Sequence, residues 1–364
     1  MRDRRSSARE AGFTLVELLV VSLITLVIVA GTLAIYVRSN KTSADQQQYT
    51  RLQQDVRAAM YFIARDARMA GADLTGETLG NGLEGVDNEN QGGAVQPDRL
   101  KIMGNIEYPF KTTIVNSIGN GNKIFLGDYV LERFPYAESE YIGKICLLLP
   151  NPSSGCAGAA VRMITAVKRK NRDGEESFSF TPSGGINPPG GLSDVCPDAA
   201  FDGGSVSFVN VRHFWLDVTG NYPGLTAGVK GYIGGGQGGI LYLTDNGTHY
   251  PIAQNIENIQ FQFNGDMDGD VNATLDGFQD WNASWTIAQR ARIRQVKIWV
   301  LGRTQDRFAL IPNKASRNTY LYRRPAMANS LAATADDGHK RYLLESTSNI
   351  RNMTLAIYNR TTER

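Results

Sequence analysis

The stretch Gly12-Phe13-Thr14-Leu15-Val16-Glu17-Leu18-Leu19-Val20-Val21 opens an apolar segment that runs to Val37. Within this segment the one charged side chain is Glu17, and no proline interrupts it. As an α-helix the segment spans about 37 Å, which exceeds the roughly 30 Å thickness of the hydrocarbon core of a membrane. It is therefore predicted to cross a membrane as one helix.

The residues before this segment form a short basic leader. They carry four arginines and two acidic residues, a balance that favours a cytoplasmic start. A secretory signal peptide is cut after its apolar run, whereas the predicted cleavage point here is Gly12, in front of the run. Residues 1–12 are thus predicted to be a leader, and cleavage between Gly12 and Phe13 would leave the apolar helix on the mature chain.

Glu17 is unusual because a carboxylate inside a membrane-spanning helix costs free energy and indicates a function that involves a partner. One interpretation is local: the positive end of the helix dipole stabilises a carboxylate near the helix N-terminus. The other is intermolecular: Glu17 pairs with the new α-amino group of Phe13 in a neighbouring subunit and sets the axial stagger of a helical assembly. An ordinary signal anchor that tolerates a glutamate is the simplest alternative. We favour the assembly interpretation.

The helix is predicted to continue beyond the apolar segment. Residues 42–69 contain no glycine or proline, and apolar residues recur there at spacings of three and four, which is typical of one face of an amphipathic helix. These positions are Leu52, Val56, Ala59, Met60, Ile63, Ala67 and Ala70. One helix is predicted over 13–70, with 13–37 as its membrane or filament-core half and Gly71 as its end. The alternative is two helices broken near Ser39-Asn40.

Residues 71–364 are predicted to form a body outside the membrane. The chain has 38 glycines, which indicates many turns, and residues 71–97 read as a long surface loop. Apolar and alternating runs predict strands at Arg99–Met103, Phe110–Val115, Lys123–Phe125, Asp128–Phe134, Ile142–Leu149, Val161–Lys170, Ser177–Thr181, Val206–Val218, Ile240–Thr244, Ile252–Phe263 and Arg292–Arg303. A slip in the alternation after Ile293 predicts a bulge. The predicted fold class is α+β: a long N-terminal transmembrane and amphipathic helix packed on a loop-rich, mainly antiparallel β body.

Charge and chemistry exclude several function classes. The formal charge of +2 belongs entirely to the leader, so the rest of the chain is neutral, and nucleic-acid binding is not expected. The three histidines, His213, His249 and His339, are scattered without metal-ligand spacing. The glycine-rich Gly234–Gly239 lacks the lysine and serine or threonine of a phosphate-binding loop. No catalytic group emerges, and no enzymatic activity is predicted.

Three cysteines, Cys146, Cys156 and Cys196, permit one disulfide and leave one thiol. Cys146 lies in the apolar run Ile145–Leu149, which is typical of a buried thiol. Cys156 and Cys196 flank a predicted hairpin of residues 161–181, whose closure brings its ends together. The predicted disulfide is therefore Cys156–Cys196, which an oxidising compartment would preserve.

The acidic run at Asp266, Asp268 and Asp270 is a candidate Ca²⁺ site, since oxygens at alternate positions of a turn suit this ion. The run departs from a calcium-binding helix–loop–helix: Val271 stands where the loop requires glycine, and Gly277 where it requires glutamate. We favour a plain turn that joins two strands, and hence no cofactor.

The N-terminal stretch resembles the prepilin peptidase signature of the type IV pilin and type II secretion pseudopilin superfamily. The signature Gly-Phe-Thr-Leu-x-Glu is matched by residues 12–17. The resemblance implies cleavage after Gly12 by prepilin peptidase, N-methylation of Phe13, and transfer of the helix from the inner membrane into a filament core. It implies other major and minor pilins and the pilus assembly platform as partners.

Parts of the body resemble PilW-type minor pilins, namely residues 252–263, 266–270, Trp281, 292–298 and 341–352. The resemblance implies a minor pilin, a structural subunit that acts in pilus assembly or initiation at the tip. It would be a single-pass inner-membrane protein with a periplasmic body, and later part of the pilus at the cell surface. Two alternatives stay open: a large J-type minor pseudopilin of a type II secretion system, and a membrane-anchored binding protein with an unprocessed signal anchor.

Overall fold

A computed structural model gives the fold of the chain. It describes residues 14–352 except 75–79, 90–95, 108–109, 119–121, 128–129, 132–136, 157, 170–175, 183–185, 219–238, 269–274, 306–322 and 335. The chain divides into two compact units, Met1–Arg51 and Leu52–Arg364. The first unit holds the apolar part of a long helix, and the second holds the last turns of that helix and the body.

The long helix, α1, spans Leu15–Arg68 without a break. The alternative of two helices broken near Ser39-Asn40 is therefore wrong. All seven apolar positions predicted for the amphipathic face are buried, which confirms the 3.6-residue periodicity as the signal of packing. The helix ends at Arg68, slightly before the predicted end, and Gly71 in the following turn has a φ of 76°, which favours glycine. The Gly71 N–H donates to the carbonyl oxygen of Met103 at 2.9 Å, which ties the helix end to the sheet.

The body contains thirteen strands in the described part of the chain, and every strand pair is antiparallel. In chain order, β1 to β13 are Leu83–Val86, Arg99–Gly104, Lys111–Ile118, Lys123–Leu126, Ile145–Leu149, Ala160–Met163, Ala166–Lys168, Glu176–Ser179, Ser205–Asp217, Gly239–Asp245, Thr248–Gly265, Ile293–Arg303 and Arg341–Asn349. Short α-helices lie at Glu138–Tyr141 and Ile287–Arg290. The predicted α+β class, a long helix and a mainly antiparallel sheet, is confirmed.

Strand β9 is the centre of the sheet. The main path runs β13-β12-β11-β10-β9-β3-β4-β8-β7, and β2 and β5 also pair with β9. Four strands thus share β9, two at each end of its thirteen residues. Adjacent rings of Phe110, Tyr141, Phe178 and Phe208 fill the core beside its first half, with Phe110 stacked on Phe208 at 4.3 Å between ring centroids.

Most predicted strands have a counterpart, and the exceptions have physical reasons. β1 lies in the predicted loop 71–97, and its four residues are held by pairing with β2. The predicted strand Asp128–Phe134 is wrong where it is described, because Val130 and Leu131 form a buried turn. The predicted pairing of 161–170 with 177–181 holds only for β7 with β8, since β6 pairs with β5. The turn of that hairpin, Asn171–Gly174, lies outside the described residues.

The predicted bulge in the strand after Arg292 is confirmed. Asn264 pairs with Gln295, and the next residue of β11, Gly265, pairs with Ile293. Arg294 is therefore the extra residue, and it accounts for the slip in the apolar alternation.

Candidate functional site

The first turn of α1 contains the predicted assembly residue, Glu17. Its Oε2 accepts hydrogen bonds from the backbone N–H and from the hydroxyl of Thr14, both at 2.9 Å. The Glu17 N–H donates back to Thr14 Oγ1 at 3.2 Å. This reciprocal pattern is a capping box, which the spacing Thr-x-x-Glu signals in a sequence. Glu17 thus has a partner within its own helix, and the predicted processing residues Gly12 and Phe13 lie outside the described residues.

The apolar part of α1 is uncovered. Every residue from Thr14 to Ala44 is exposed. The exposed fraction of the large apolar residues there ranges from 48% for Val29 to 76% for Leu15. An exposed apolar surface of this extent is characteristic of a segment that lies in lipid or against other protein. The helix is long and apolar enough to cross a membrane.

The hydroxyl groups within this segment bond to their own helix. Ser22 Oγ donates to the carbonyl oxygen of Leu19 at 2.9 Å, Thr25 Oγ1 to that of Val21 at 2.8 Å, and Thr32 Oγ1 to that of Val29 at 2.9 Å. In hydrocarbon every polar group needs such an internal partner. These three side chains therefore suit an apolar environment on all sides of the helix.

A disulfide joins Cys156 to Cys196, the pair that the sequence predicted, with a Cα–Cα distance of 6.2 Å. It ties the segment after β5 to the 3-10 turns at Gly191–Asp194 and Asp198–Phe201. Cys146 is a buried free thiol in β5, also as predicted, and its burial raises the pKa of the thiol well above its usual value.

The acidic turn after β11 is organised by a carboxylate outside the predicted set. Asp276 Oδ2 accepts from the backbone N–H of Met267 at 2.7 Å and of Asp268 at 3.3 Å. Asp270 lies outside the described residues. Within the described ranges, no group of three or more His, Cys, Asp or Glu side chains is arranged to hold a metal ion. A plain turn stays our interpretation of this segment.

A buried cluster of charges, which the sequence did not reveal, joins α1 to the sheet. Asp66 is fully buried, and Arg212 Nη1 of β9 donates to its Oδ2 at 3.0 Å. Arg212 also donates from Nε and Nη2 to Asp245 Oδ2, at 3.0 and 2.9 Å, and from Nη2 to Glu107 Oε2 at 3.3 Å. Burial lowers the pKa of Arg212, but Asp66 and Asp245 outweigh burial and the pKa lies above its usual value.

A second buried cluster fixes the start of β13. Arg341 donates from Nε to Glu257 Oε2 at 2.6 Å and from Nη2 to Glu257 Oε1 at 2.9 Å, a bidentate pair. Its Nη1 donates to Asp337 Oδ1 at 2.8 Å. Burial acts against the charged guanidinium, yet the bonds to Asp337 and Glu257 raise the pKa of Arg341 above its usual range. The cluster secures the last described strand.

The histidines of the sheet lie on one row across five strands. Directly opposite residues in β1, β2, β9, β10 and β11 are Glu84, Lys101, His213, Thr244 and His249. Lys101 pairs with Glu84, and Thr244 Oγ1 lies 2.6 Å from His249 Nδ1. Burial, Lys101 and Arg99 lower the pKa of His213 to about 4. The third histidine, His339, is buried, and its Nδ1 lies 2.8 Å from the carbonyl oxygen of Thr304. The position of each of the three histidines is therefore explained by its contacts in the fold.

The N-terminal segment matches a known sequence family. Residues 7–33 match the family described as the prokaryotic N-terminal methylation motif. This range includes the predicted cleavage point, Thr14, Glu17 and much of the exposed apolar helix. No curated protein matches the chain.

Among solved structures, the chain is similar to a type IV-like pilin from Thermus thermophilus. The two share 11% sequence identity over 83% of this chain and 97% of the other, with a TM-score of 0.30. The comparisons therefore show that the chain carries an N-terminal methylation motif at the start of its exposed apolar helix.

Proposed function

We propose that this chain is a pilin-type structural subunit, and that its apolar helix lies first in a membrane and then in the core of a filament. The observation that carries the proposal is the position of the methylation motif. Residues 7–33 match it, and they lead into a helix that is exposed from Thr14 to Ala44. A helix of this kind needs lipid or neighbouring helices around it.

The subunit is further proposed to be a minor pilin of the PilW type. Its 364 residues make a large body, which is easier to accommodate at a filament tip or in an initiating complex than at every position of a shaft. The partners would be major and minor pilins, prepilin peptidase and the assembly platform. The protein would reside in the inner membrane with a periplasmic body before assembly.

The mature N-terminus tests the proposal directly. Mass spectrometry of the purified protein should show a chain that begins with N-methylated Phe13. The variant Gly12→Ala should retain the leader, because the peptidase must accept backbone without a side chain beside the cleaved bond. Gly31→Ala is a matched control, since its added Cβ meets no atom within 4 Å. A Gly12→Ala protein with a normal mature N-terminus would refute the processing step.

The role of Glu17 requires variants that separate its charge from its cap. Glu17→Gln removes the charge but retains the capping box, since glutamine serves at this position as well as glutamate. If Glu17 pairs with the Phe13 amine of a neighbour, both Glu17→Ala and Glu17→Gln are processed and inserted, but both are depleted from sheared filaments. Thr14→Val, which removes the cap and keeps the charge, should still be incorporated.

A specific observation favours a second candidate function. The Thr14 hydroxyl and N–H already stabilise Glu17 in the isolated helix, as they would in the unprocessed signal anchor of a binding protein. In that case the leader persists in the mature protein, and Glu17→Gln behaves like the unaltered chain. A processed subunit found with secretion components and absent from sheared pili would instead indicate a J-type pseudopilin of type II secretion.

A further inference from the structure

The chain contains six sequons for N-linked glycosylation, which are Asn-x-Ser or Asn-x-Thr with a residue other than proline at x. They begin at Asn40, Asn246, Asn272, Asn282, Asn352 and Asn359. Such short motifs also occur by chance, so the surroundings of each asparagine must distinguish an acceptor from a coincidence. The structure describes all three residues of the sequons at Asn40, Asn246 and Asn282.

At Asn282 the serine of the sequon is bonded to the asparagine amide. The backbone N–H of Ser284 donates to Asn282 Oδ1 at 2.9 Å, and Ser284 Oγ donates to the same oxygen at 2.7 Å. Because a backbone N–H can only donate, the amide oxygen is the atom that faces Ser284, and the NH₂ group lies on the other side. Asn282, Ala283 and Ser284 are all exposed. The amide nitrogen of Asn282 is therefore accessible from outside the protein.

Two tryptophans anchor the ends of this turn. Trp281 and Trp285 are each only 8% exposed, and their ring centroids lie 5.2 Å apart in an edge-to-face contact. The Trp281 ring also lies 5.1 Å from the ring of Phe263 in β11, and the Trp285 N–H donates to the carbonyl oxygen of Asn282 at 3.1 Å. A group attached to the Asn282 side chain would thus extend into solvent and leave the packing of both rings intact.

The other two described sequons are built into the helix and the sheet. Thr42 Oγ1 donates to the carbonyl oxygen of Arg38 at 3.0 Å, inside α1. Asn246 Oδ1 accepts from the Val211 N–H of β9 at 2.9 Å, and Thr248 is paired with Asp245 in the ladder of β10 and β11. Among the three sequons that the structure describes in full, the one at Asn282 alone joins its hydroxyl to its own asparagine amide.

This bond suits the chemistry of glycan transfer. An amide nitrogen is a weak nucleophile because its lone pair is delocalised into the carbonyl group, and donors on the oxygen make its protons easier to remove. In the transfer, Asn282 Nδ2 forms a bond to the anomeric carbon of a sugar, and the bond from that carbon to a diphosphate oxygen breaks. A base of the transferring enzyme takes one Nδ2 proton, and the diphosphate leaves. No atom changes its oxidation state.

We propose that Asn282 is the acceptor of an N-linked glycan, that the donor is an oligosaccharide joined to a lipid through diphosphate, and that Ser284 is the positioning residue. N-linked glycans are carried by surface loops of proteins outside the cytoplasm. The inference therefore rests on the proposed location of the body beyond the membrane. It requires neither cleavage at Gly12 nor assembly into a filament.

The first test reads the sequons of the protein as its own cells make it. The full chain is purified in detergent and digested, and mass spectrometry of the peptides should find a glycan on Asn282 and none on Asn40 or Asn246. In the second test, full chain made in a host without N-glycosylation is incubated with a bacterial oligosaccharyltransferase and a lipid diphosphate-linked oligosaccharide. Its intact mass should rise by one glycan, located at Asn282.

Variants assign the transfer to the turn. Asn282→Gln and Ser284→Ala should lose the added mass in both tests, whereas Ser284→Thr retains a hydroxyl and should keep it. Asn246→Gln is the matched control and should also keep it. Because Asn282 and Ser284 are exposed, the midpoint of thermal unfolding should stay the same in all four variants.

Three results would overturn the proposal: an unmodified Asn282 in the protein from its own cells, transfer to Asn246 in place of Asn282, or full modification of Ser284→Ala. The same digest reports the N-terminal residue, which separates this site from the pilin proposal. A retained leader with a glycan on Asn282 would refute the processing step alone. A chain that begins at Phe13 and has an unmodified Asn282 would refute the glycan site alone.

Discussion

Replacing Arg212 with methionine would leave the fully buried Asp66 carboxylate without its main partner. Removing one member of a buried ion pair typically costs 3–5 kcal/mol, because the remaining charge stays desolvated. Asp245 and Glu107, whose side chains are 15% and 47% exposed, can regain water, so the cost falls mainly on Asp66. The bond from Arg65 Nε to Asp66 at 2.8 Å remains. We therefore expect Arg212→Met to lower the free energy of unfolding by about 3 kcal/mol, at the lower end of that range.

A double-mutant cycle measures the pair itself. Asp66→Leu alone should also destabilise the body, since it leaves Arg212 short of one carboxylate. The double variant should lose far less than the sum of the single losses, because apolar residues often replace a buried pair at little cost. Urea unfolding of the full chain in detergent, followed by far-UV circular dichroism, gives the three values. Because the pair is buried, the coupling should change little with salt.

Two results would refute this reasoning. A loss below about 1 kcal/mol for Arg212→Met would place the pair in the range of exposed ion pairs. Additive losses in the double variant would show that Asp66 and Arg212 act independently. Lys297→Met is the matched control, since its ion pair with the half-exposed Glu345 lies near the surface.

Three further predictions concern other parts of the body. The double variant Cys156→Ser/Cys196→Ser should lower the free energy of unfolding by about 4 kcal/mol, because the disulfide closes a loop with a sequence separation of 40. Reductant should lower the unfolding midpoint of the unaltered chain and of the control Cys146→Ala. An unchanged midpoint in the unaltered chain would contradict this prediction. The pKa of His213 is lowered to about 4 in the folded chain. Between about pH 6.5 and 4 the unfolded state therefore binds more protons than the folded state, so the free energy of unfolding should fall as the pH decreases through this range. His213→Gln should flatten that part of the pH profile of the urea midpoint, and an unchanged slope would contradict the assignment. A Cβ at Gly302 would lie 2.5 Å from Val56 Cγ2 and 2.6 Å from Leu52 Cδ1, so Gly302→Ala should cost about 1–3 kcal/mol by overpacking, and an unchanged urea midpoint would show that the helix moves away freely.

Local signals in the sequence were sufficient for α1 and for β9 to β12, but the nine-residue β13 at Arg341–Asn349 was not predicted. The seven apolar positions recur at spacings of three and four, and all are buried, including Ala70 just beyond the end of the helix. The shorter β1 was missed because four residues in a glycine-rich segment carry no usable periodicity, and its strand depends on the register with β2. At 128–134 an apolar run was read as a strand. Leu131 is instead a buried turn residue whose N–H donates to the buried Glu176 at 2.7 Å, so the apolar character of Val130 and Leu131 reflects core packing.

The buried charges could not be predicted from the sequence because their partners are remote. Asp66 and Arg212 lie 146 positions apart, and Glu257 and Arg341 lie 84 apart. In a linear pattern each of them resembles an exposed polar position on a helix or a strand. The Thr14–Glu17 capping box differs, since its spacing of three is visible in the sequence. It could have identified Thr14 as the local partner of Glu17, where our sequence interpretation considered only the helix dipole.

The two ends of α1 therefore hold their acidic residues by different means. Glu17 is bonded to Thr14, three residues away, so these hydrogen bonds need no residue outside the first turn of the helix. Asp66 is bonded to Arg212 of the folded sheet as well as to its neighbour Arg65, so it keeps both partners only when the body is folded. Because neither set of bonds relies on what covers residues 15–37, lipid can be exchanged for neighbouring helices around that segment without breaking them. The proposed transfer of the helix from a membrane into a filament is compatible with this independence.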